Sequence, residues 1–178
     1  MILGMSTSTF TMLHVLISLI GIGSGIAVVF GMLRAKRLDG ITAIFLTTTV
    51  LTSLTGFAFP NEHVTPGIVI GILSLVLLAV AIVARYSLHL RGAWRATYVV
   101  TAAIALYFNV FVLVVQSFEK VPTLRALAPT QKEPPFAITQ LLVLAIFVAL
   151  TIAAVKRFRP QAAAVSSLSG NTREKGAA

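Results

Sequence analysis

Hydrophobic residues along the chain form five long runs, each separated from the next by a shorter polar stretch. The runs cover approximately Phe10–Leu33, Ile41–Phe59, Gly67–Tyr86, Trp94–Phe118 and Phe136–Val155. A helix of about 20 apolar residues crosses the hydrocarbon core of a bilayer, and every run is close to that length. The pattern therefore predicts an all-α integral membrane protein, a five-helix bundle that occupies residues 1–159.

Composition agrees with this class of protein. Of the 178 residues, 57% are hydrophobic and only 11% are charged, and the mean hydropathy is +0.96. The chain contains no cysteine, which excludes disulfides and cysteine-ligated metal. Its formal net charge is +9, but we expect no nucleic-acid binding, because the basic residues flank the apolar runs as a topology signal does.

The basic residues predict the orientation of the bundle. With five spans, eleven of the 14 Lys and Arg residues fall on one side. They are Arg34, Lys36, Arg37, Arg85, Arg91, Arg95, Lys156, Arg157, Arg159, Arg173 and Lys175. Since cytoplasmic loops carry an excess of Lys and Arg, we expect the amino terminus outside and the carboxyl terminus in the cytoplasm. Residues 160–178 are small and polar without an apolar period, which predicts a disordered cytoplasmic tail.

Small and polar residues within the runs indicate how the helices pack. Gly21 and Gly25 form a GxxxG pair on one face of the first run, which predicts close approach of a neighbouring helix. Asp39 precedes the second run and suits the N-cap position of a helix. In the long connector after the fourth run we expect one helical turn around Thr123–Leu127.

Hydrogen-bonding side chains gather in the outer half of the predicted bundle. They include Asn109 and Gln116, which are seven residues apart and therefore share a helix face, whereas the inner half offers mainly topology charges. This asymmetry predicts a pocket open to the outer side, with Asn109 near its floor and the proline-rich connector as its lid. The candidate ligand-binding residues are His14, Tyr107, Asn109, Gln116, Glu119 and Gln140.

Three interpretations of these residues remain open at this point. In the first, the polar side chains hydrogen-bond to one another and fix the register of the helices. In the second, they line a site for a quinone, a lipid or another amphiphile together with the neighbouring aromatic residues. In the third interpretation His14, His63 and Glu62 hold a metal, or the histidines hold haem. No HxxxH or ExxH spacing supports the last of these.

A resemblance covers part of the chain. Residues 105–140, which read ALYFNVFVLVVQSFEKVPTLRALAPTQKEPPFAITQ, resemble a group of small bacterial inner-membrane proteins described as hypothetical. The resemblance implies a helical protein of the bacterial cytoplasmic membrane and implies no activity.

The sequence carries no recognisable enzyme motif. GIGSG at Gly21–Gly25 lies within a membrane span rather than after a strand, so it is not a nucleotide-binding loop. We expect a non-enzymatic binding or partner subunit with an outward-facing pocket for a small amphiphile. The alternatives are a redox membrane protein that binds haem or quinone, and a small permease. Membrane lipid, a membrane-protein partner and a second copy of the chain are the expected contacts.

Overall fold

The computed structural model describes residues 1–2, 4–60 and 65–159, and every regular element within these ranges is helical. The helices are α1 (Thr7–Leu33), α2 (Asp39–Phe57), α3 (Pro66–Ile82), α4 (Trp94–Lys120), α5 (Pro122–Leu127) and α6 (Pro134–Arg157). A π-helical turn, Val83–Ser87, extends α3. All of these helices except the short α5 are long and apolar enough to cross a membrane. The predicted all-α class with five helices of spanning length and apolarity is confirmed. The predicted tail at 160–178 lies outside the described residues.

Helix α4 lies at the centre of the bundle. It contacts α1, α2, α3 and α6, while α1 also packs on α2 and α2 on α3. In the most apolar stretch of 18 residues, 39% of α4 is buried within the bundle, whereas only 6% of α6 is buried. Helix α6 therefore lies at the periphery. Helices α1, α3 and α6 all end on one side of the bundle, and we call that side the basic end. The opposite side, where α5 lies, is called the α5 end.

Local sequence accounts for several helix boundaries. The hydroxyl of Ser6 accepts a hydrogen bond from the Thr9 amide and caps α1, and Thr65 caps α3 in front of Pro66. Both arrangements satisfy amides that have no partner within the helix. The expected helical turn in the long connector is confirmed as α5.

The predicted N-cap role of Asp39 is wrong. Leu38 occupies the N-cap position of α2 in a left-handed conformation with φ 45°, no side chain caps this helix end, and Asp39 is the first helical residue. Its carboxylate is directed instead to an arginine at the end of α3. The Asp39 carboxylate does not cap the helix because it is paired with the buried guanidinium of Arg85.

The close packing predicted at the GxxxG pair is confirmed. A Cβ atom placed on Gly25 would lie 2.6 Å from Leu106 Cδ1 and 2.8 Å from the Phe45 ring, and one on Gly21 would lie 3.2 Å from Thr48 Oγ1. Real Cβ contacts are longer than the first two distances. Glycine at position 25 therefore allows α1, α2 and α4 to meet at one point.

The connector before α6 is held by a carboxylate. Glu133 accepts hydrogen bonds from the Thr130 hydroxyl at 2.8 Å, from the Thr130 amide at 3.2 Å and from the Lys132 amide at 3.0 Å. Partial desolvation opposes ionisation of Glu133, but these hydrogen bonds to the charged form outweigh it and lower the pKa of the carboxyl below its ordinary value.

We expect Thr130→Val to raise the pKa of Glu133, since the variant loses the hydroxyl donor but keeps the backbone donors. Because the pKa is depressed, the ionised carboxylate stabilises the folded connector at neutral pH. This stabilisation is lost as the pH falls through the pKa of Glu133. A carbon-detected NMR titration of the Glu133 carboxyl measures the difference. An unchanged pKa in Thr130→Val would contradict the assigned role of the hydroxyl.

Candidate functional site

The imidazole of His14 connects α1 to α2 towards the α5 end. Its Nδ1 atom lies 2.7 Å from Thr55 Oγ1, and Thr55 itself donates its hydroxyl hydrogen to the Leu51 carbonyl at 2.7 Å. Nδ1 of His14 must therefore be the donor in the first of these bonds. In a neutral imidazole this leaves Nε2 with a free lone pair, and Nε2 forms no hydrogen bond with a described residue.

Asn109 lies on the face of α4 that is directed towards α2, and Gln116, seven residues further on, shares that face by its spacing. The Asn109 Nδ2 atom donates to Thr49 Oγ1 over 3.4 Å, a long hydrogen bond to a fully buried hydroxyl. Within the described ranges, the Asn109 oxygen accepts no hydrogen bond and the Gln116 amide forms none. Both side chains are half-buried, so hydrogen-bonding capacity remains available between α1, α2 and α4.

Gln140 belongs to a different interface. It is buried, and its Nε2 atom donates to the Phe111 carbonyl of α4 at 3.2 Å. Positions 109 and 111 are about 200° apart around a helix, so Gln140 is separated from Asn109 by the body of α4. Tyr107 lies on this second side, with its ring 5.6 Å from that of Phe147 on α6.

The six predicted ligand residues therefore divide into three groups. His14 bonds α1 to α2, Asn109 donates to Thr49 of α2, which lies beside Gly21 of α1, and Gln116 is two turns beyond Asn109 on α4. We call His14, Asn109 and Gln116 the outer polar site. Tyr107 and Gln140 lie between α4 and α6, and Glu119 is exposed at the end of α4. Of the predicted metal ligands, Glu62 and His63 lie outside the described residues. Among the residues that the structure does describe, no group of three His, Asp or Glu side chains is suited to a metal ion.

We expect Gln140→Leu to change the free energy of unfolding by less than about 1 kcal/mol. The variant loses one hydrogen bond, but it also removes the buried Gln140 Oε1 atom, which has no partner, and the two effects are of similar size. Reversible unfolding in mixed detergent micelles measures the change. A loss of more than about 2 kcal/mol would contradict a near-neutral role.

The basic end holds a charged residue in the interior of the bundle, and the residues beside it in the chain do not predict its burial. Arg85, interpreted above as a topology charge, is only 1% exposed. One guanidinium nitrogen donates to Asp39 Oδ1 at 2.5 Å and to the Arg37 carbonyl at 3.0 Å. The guanidinium also lies over the ring of Tyr98, 5.1 Å from its centre, and the contact with a ring face stabilises the cation.

A second arginine joins the last span to the centre of the bundle. Arg95, at the start of α4, donates to the carbonyl of Val155 at 2.8 Å and to that of Phe158 at 2.6 Å. A cation at this place satisfies carbonyl groups that have no partner at the end of a helix. Arg85 and Arg95 together fix the ends of α2, α3, α4 and α6 relative to one another.

One sequence signal points to the Arg85 pair. Asp39 is the chain's single aspartate, and it lies amid the basic residues of the predicted inner side. A lone acid in a cationic region requires an explanation, and pairing with a buried arginine provides it.

Comparison of the chain with protein-family models, with curated proteins and with solved structures finds no match.

Proposed function

We propose that the protein is a non-enzymatic binding or partner subunit of a bacterial cytoplasmic membrane, with the outer polar site as the place where it takes up a small amphiphile. The amino terminus is outside and the basic end faces the cytoplasm, as the excess of Lys and Arg favours. In this orientation the outer polar site opens to the extracytoplasmic side.

The unused hydrogen-bonding capacity of Asn109 and Gln116 carries the proposal. Polar groups within a membrane are costly unless they find partners. Gln140 has a partner on another helix, whereas the Gln116 amide has none among the described residues. An amphiphile with carbonyl or hydroxyl groups, such as a quinone or a lipid headgroup, would accept from these amides while its apolar part remains among aliphatic side chains.

The test is a survey of what remains bound to the purified protein. Wild type, Gln116→Leu and the control Gln140→Leu are washed extensively in mild detergent, extracted and compared by mass spectrometry. We expect one amphiphile retained at near-stoichiometric amounts by wild type and by Gln140→Leu. Its retention by Gln116→Leu should fall about fivefold to tenfold, the effect of one lost amide hydrogen bond.

Two outcomes would overturn the proposal. If wild type retains only bulk lipid, or if Gln116→Leu retains the same compound equally well, the amides do not bind a ligand. The absorbance spectrum of the same sample separates the alternatives, because a Soret band would identify haem and a redox protein instead.

A further inference from the structure

An apolar groove lies between α2 and α3 in the half of the bundle nearest the basic end. It encloses about 420 Å³ and is lined by the face of α2 from Ala43 to Leu51 and by Ile82 and Tyr86. Counting 1.5 Å per helical residue, it begins about 6 Å from Asp39 and extends a further ~12 Å along α2. Its position and length correspond to the part of one leaflet's acyl chains that is nearest the headgroups.

The wall of this groove is concave because two of its residues are small. Ala43 and Thr47 are both exposed, and each leaves a depression between larger aliphatic neighbours. An apolar depression within the hydrocarbon region does not attract water. Lipid chains or another helix are the groups that fill such a surface.

At the end of the groove nearest the basic end, basic side chains outnumber the carboxylates that pair with them. Asp39 is shared between Arg85 and Arg37, whose Nε atom lies 3.5 Å away. The Arg37 side chain is 45% exposed, and the neighbouring Arg34 and Lys36 form no ion pair with a described residue. The charge at this end is therefore complementary to an anionic headgroup.

Tyr86 connects the cations with the groove. Its ring lines the groove and lies 5.8 Å from the Arg85 guanidinium. Tyr86 is 48% exposed, and its hydroxyl forms no hydrogen bond within the described part of the chain. Tyrosine at the membrane–water interface presents a hydrogen-bond donor at the depth of the headgroups.

We propose that this groove is a binding site for one anionic phospholipid, whose acyl chain lies along α2 and whose phosphate is bound by Arg37 and the Tyr86 hydroxyl. The site is at the opposite end of the bundle from the outer polar site, so either proposal can fail without the other. Under the proposed topology the lipid belongs to the cytoplasmic leaflet, where anionic lipids attract basic segments.

The experiment measures lipid retention by the full-length protein. Detergent-purified protein is titrated with phosphatidylglycerol or with phosphatidylethanolamine of the same chains, and bound lipid is counted by native mass spectrometry. We expect wild type to bind phosphatidylglycerol about tenfold more tightly. Ala43→Phe, which fills the groove, should abolish the first bound lipid, and Arg37→Gln should weaken it about fivefold, the effect of one cation near a headgroup.

Matched controls lie on the peripheral helix. Ala149→Phe adds the same ring at an exposed alanine of α6, and Arg157→Gln removes an exposed cation at the same end of the bundle; both should bind phosphatidylglycerol as wild type does. Equal binding of the two lipids by wild type would overturn the proposal. So would equal losses in Ala43→Phe and Ala149→Phe, or a dimer that Ala43→Phe dissociates, which would assign the groove to a second copy of the chain.

Discussion

Asp39→Leu is expected to destabilise the protein by about 3 kcal/mol, the low end of the range for breaking a buried ion pair. The substitution leaves Arg85 fully buried with the Arg37 carbonyl as its remaining hydrogen-bond acceptor among the described residues. The low end applies because the Asp39 side chain is itself 69% exposed, so water reaches one side of the pair. Unfolding in mixed detergent micelles, followed by the fluorescence of Trp94, measures the loss.

Two controls separate charge burial from a general loss of surface acid. Glu119→Leu removes an exposed carboxylate that forms no ion pair with a described residue, and it should change the free energy of unfolding by less than about 0.5 kcal/mol. The double variant Asp39→Leu/Arg85→Met removes both charges and should recover most of the stability lost in Asp39→Leu. Equal effects of Asp39→Leu and Glu119→Leu would show that the pair contributes nothing.

Gly25→Ala and Gly23→Ala are expected to shift stability in opposite directions. A methyl group at position 25 meets Leu106 and the fully buried Phe45 ring at distances that cannot persist, and overpacking of this kind costs about 2 kcal/mol. At position 23 nothing lies within 4 Å of the added atom, and alanine is the better helix former by about 0.5–1 kcal/mol. The same micelle unfolding assay compares the two.

The pair is matched because both glycines lie in α1, two residues apart, and gain the same methyl group. Reduced stability in both variants would mean that α1 needs glycine for its own conformation. No change at Gly25 would mean that α1 does not approach α2 and α4 as closely as described.

The number and the positions of the spans follow from the sequence, since they depend on one-dimensional properties. Hydropathy predicts each long helix, and the structure differs from the predicted ends by a few residues, as for Gly67–Tyr86 against Pro66–Ser87. The closeness of α1 to its neighbours was likewise evident from the spacing of Gly21 and Gly25. Such features need no knowledge of which helix lies beside which.

Features that depend on the arrangement of helices around α4 were not predictable in the same way. The sequence places Asn109 and Gln116 on one face, but it does not reveal that Gln140 reaches α4 from the other side. The burial of Arg85 was missed because an arginine at the end of a span has the same sequence pattern whether it points to headgroups or to the interior. Its acceptor, Asp39, is 46 residues away in the chain.

The most direct test of an outward-facing site is the reactivity of a cysteine at position 109. The natural chain has no cysteine, so Asn109→Cys and the control Val110→Cys each carry a single thiol. Val110 packs against the buried core, and thiols react with maleimides as thiolates, which need water. With a membrane-impermeant maleimide added to intact cells, we predict labelling of Asn109→Cys and little labelling of Val110→Cys. If Asn109→Cys stays unlabelled, or reacts only after the cells are opened, the site is not open to the outside and the proposed function is wrong.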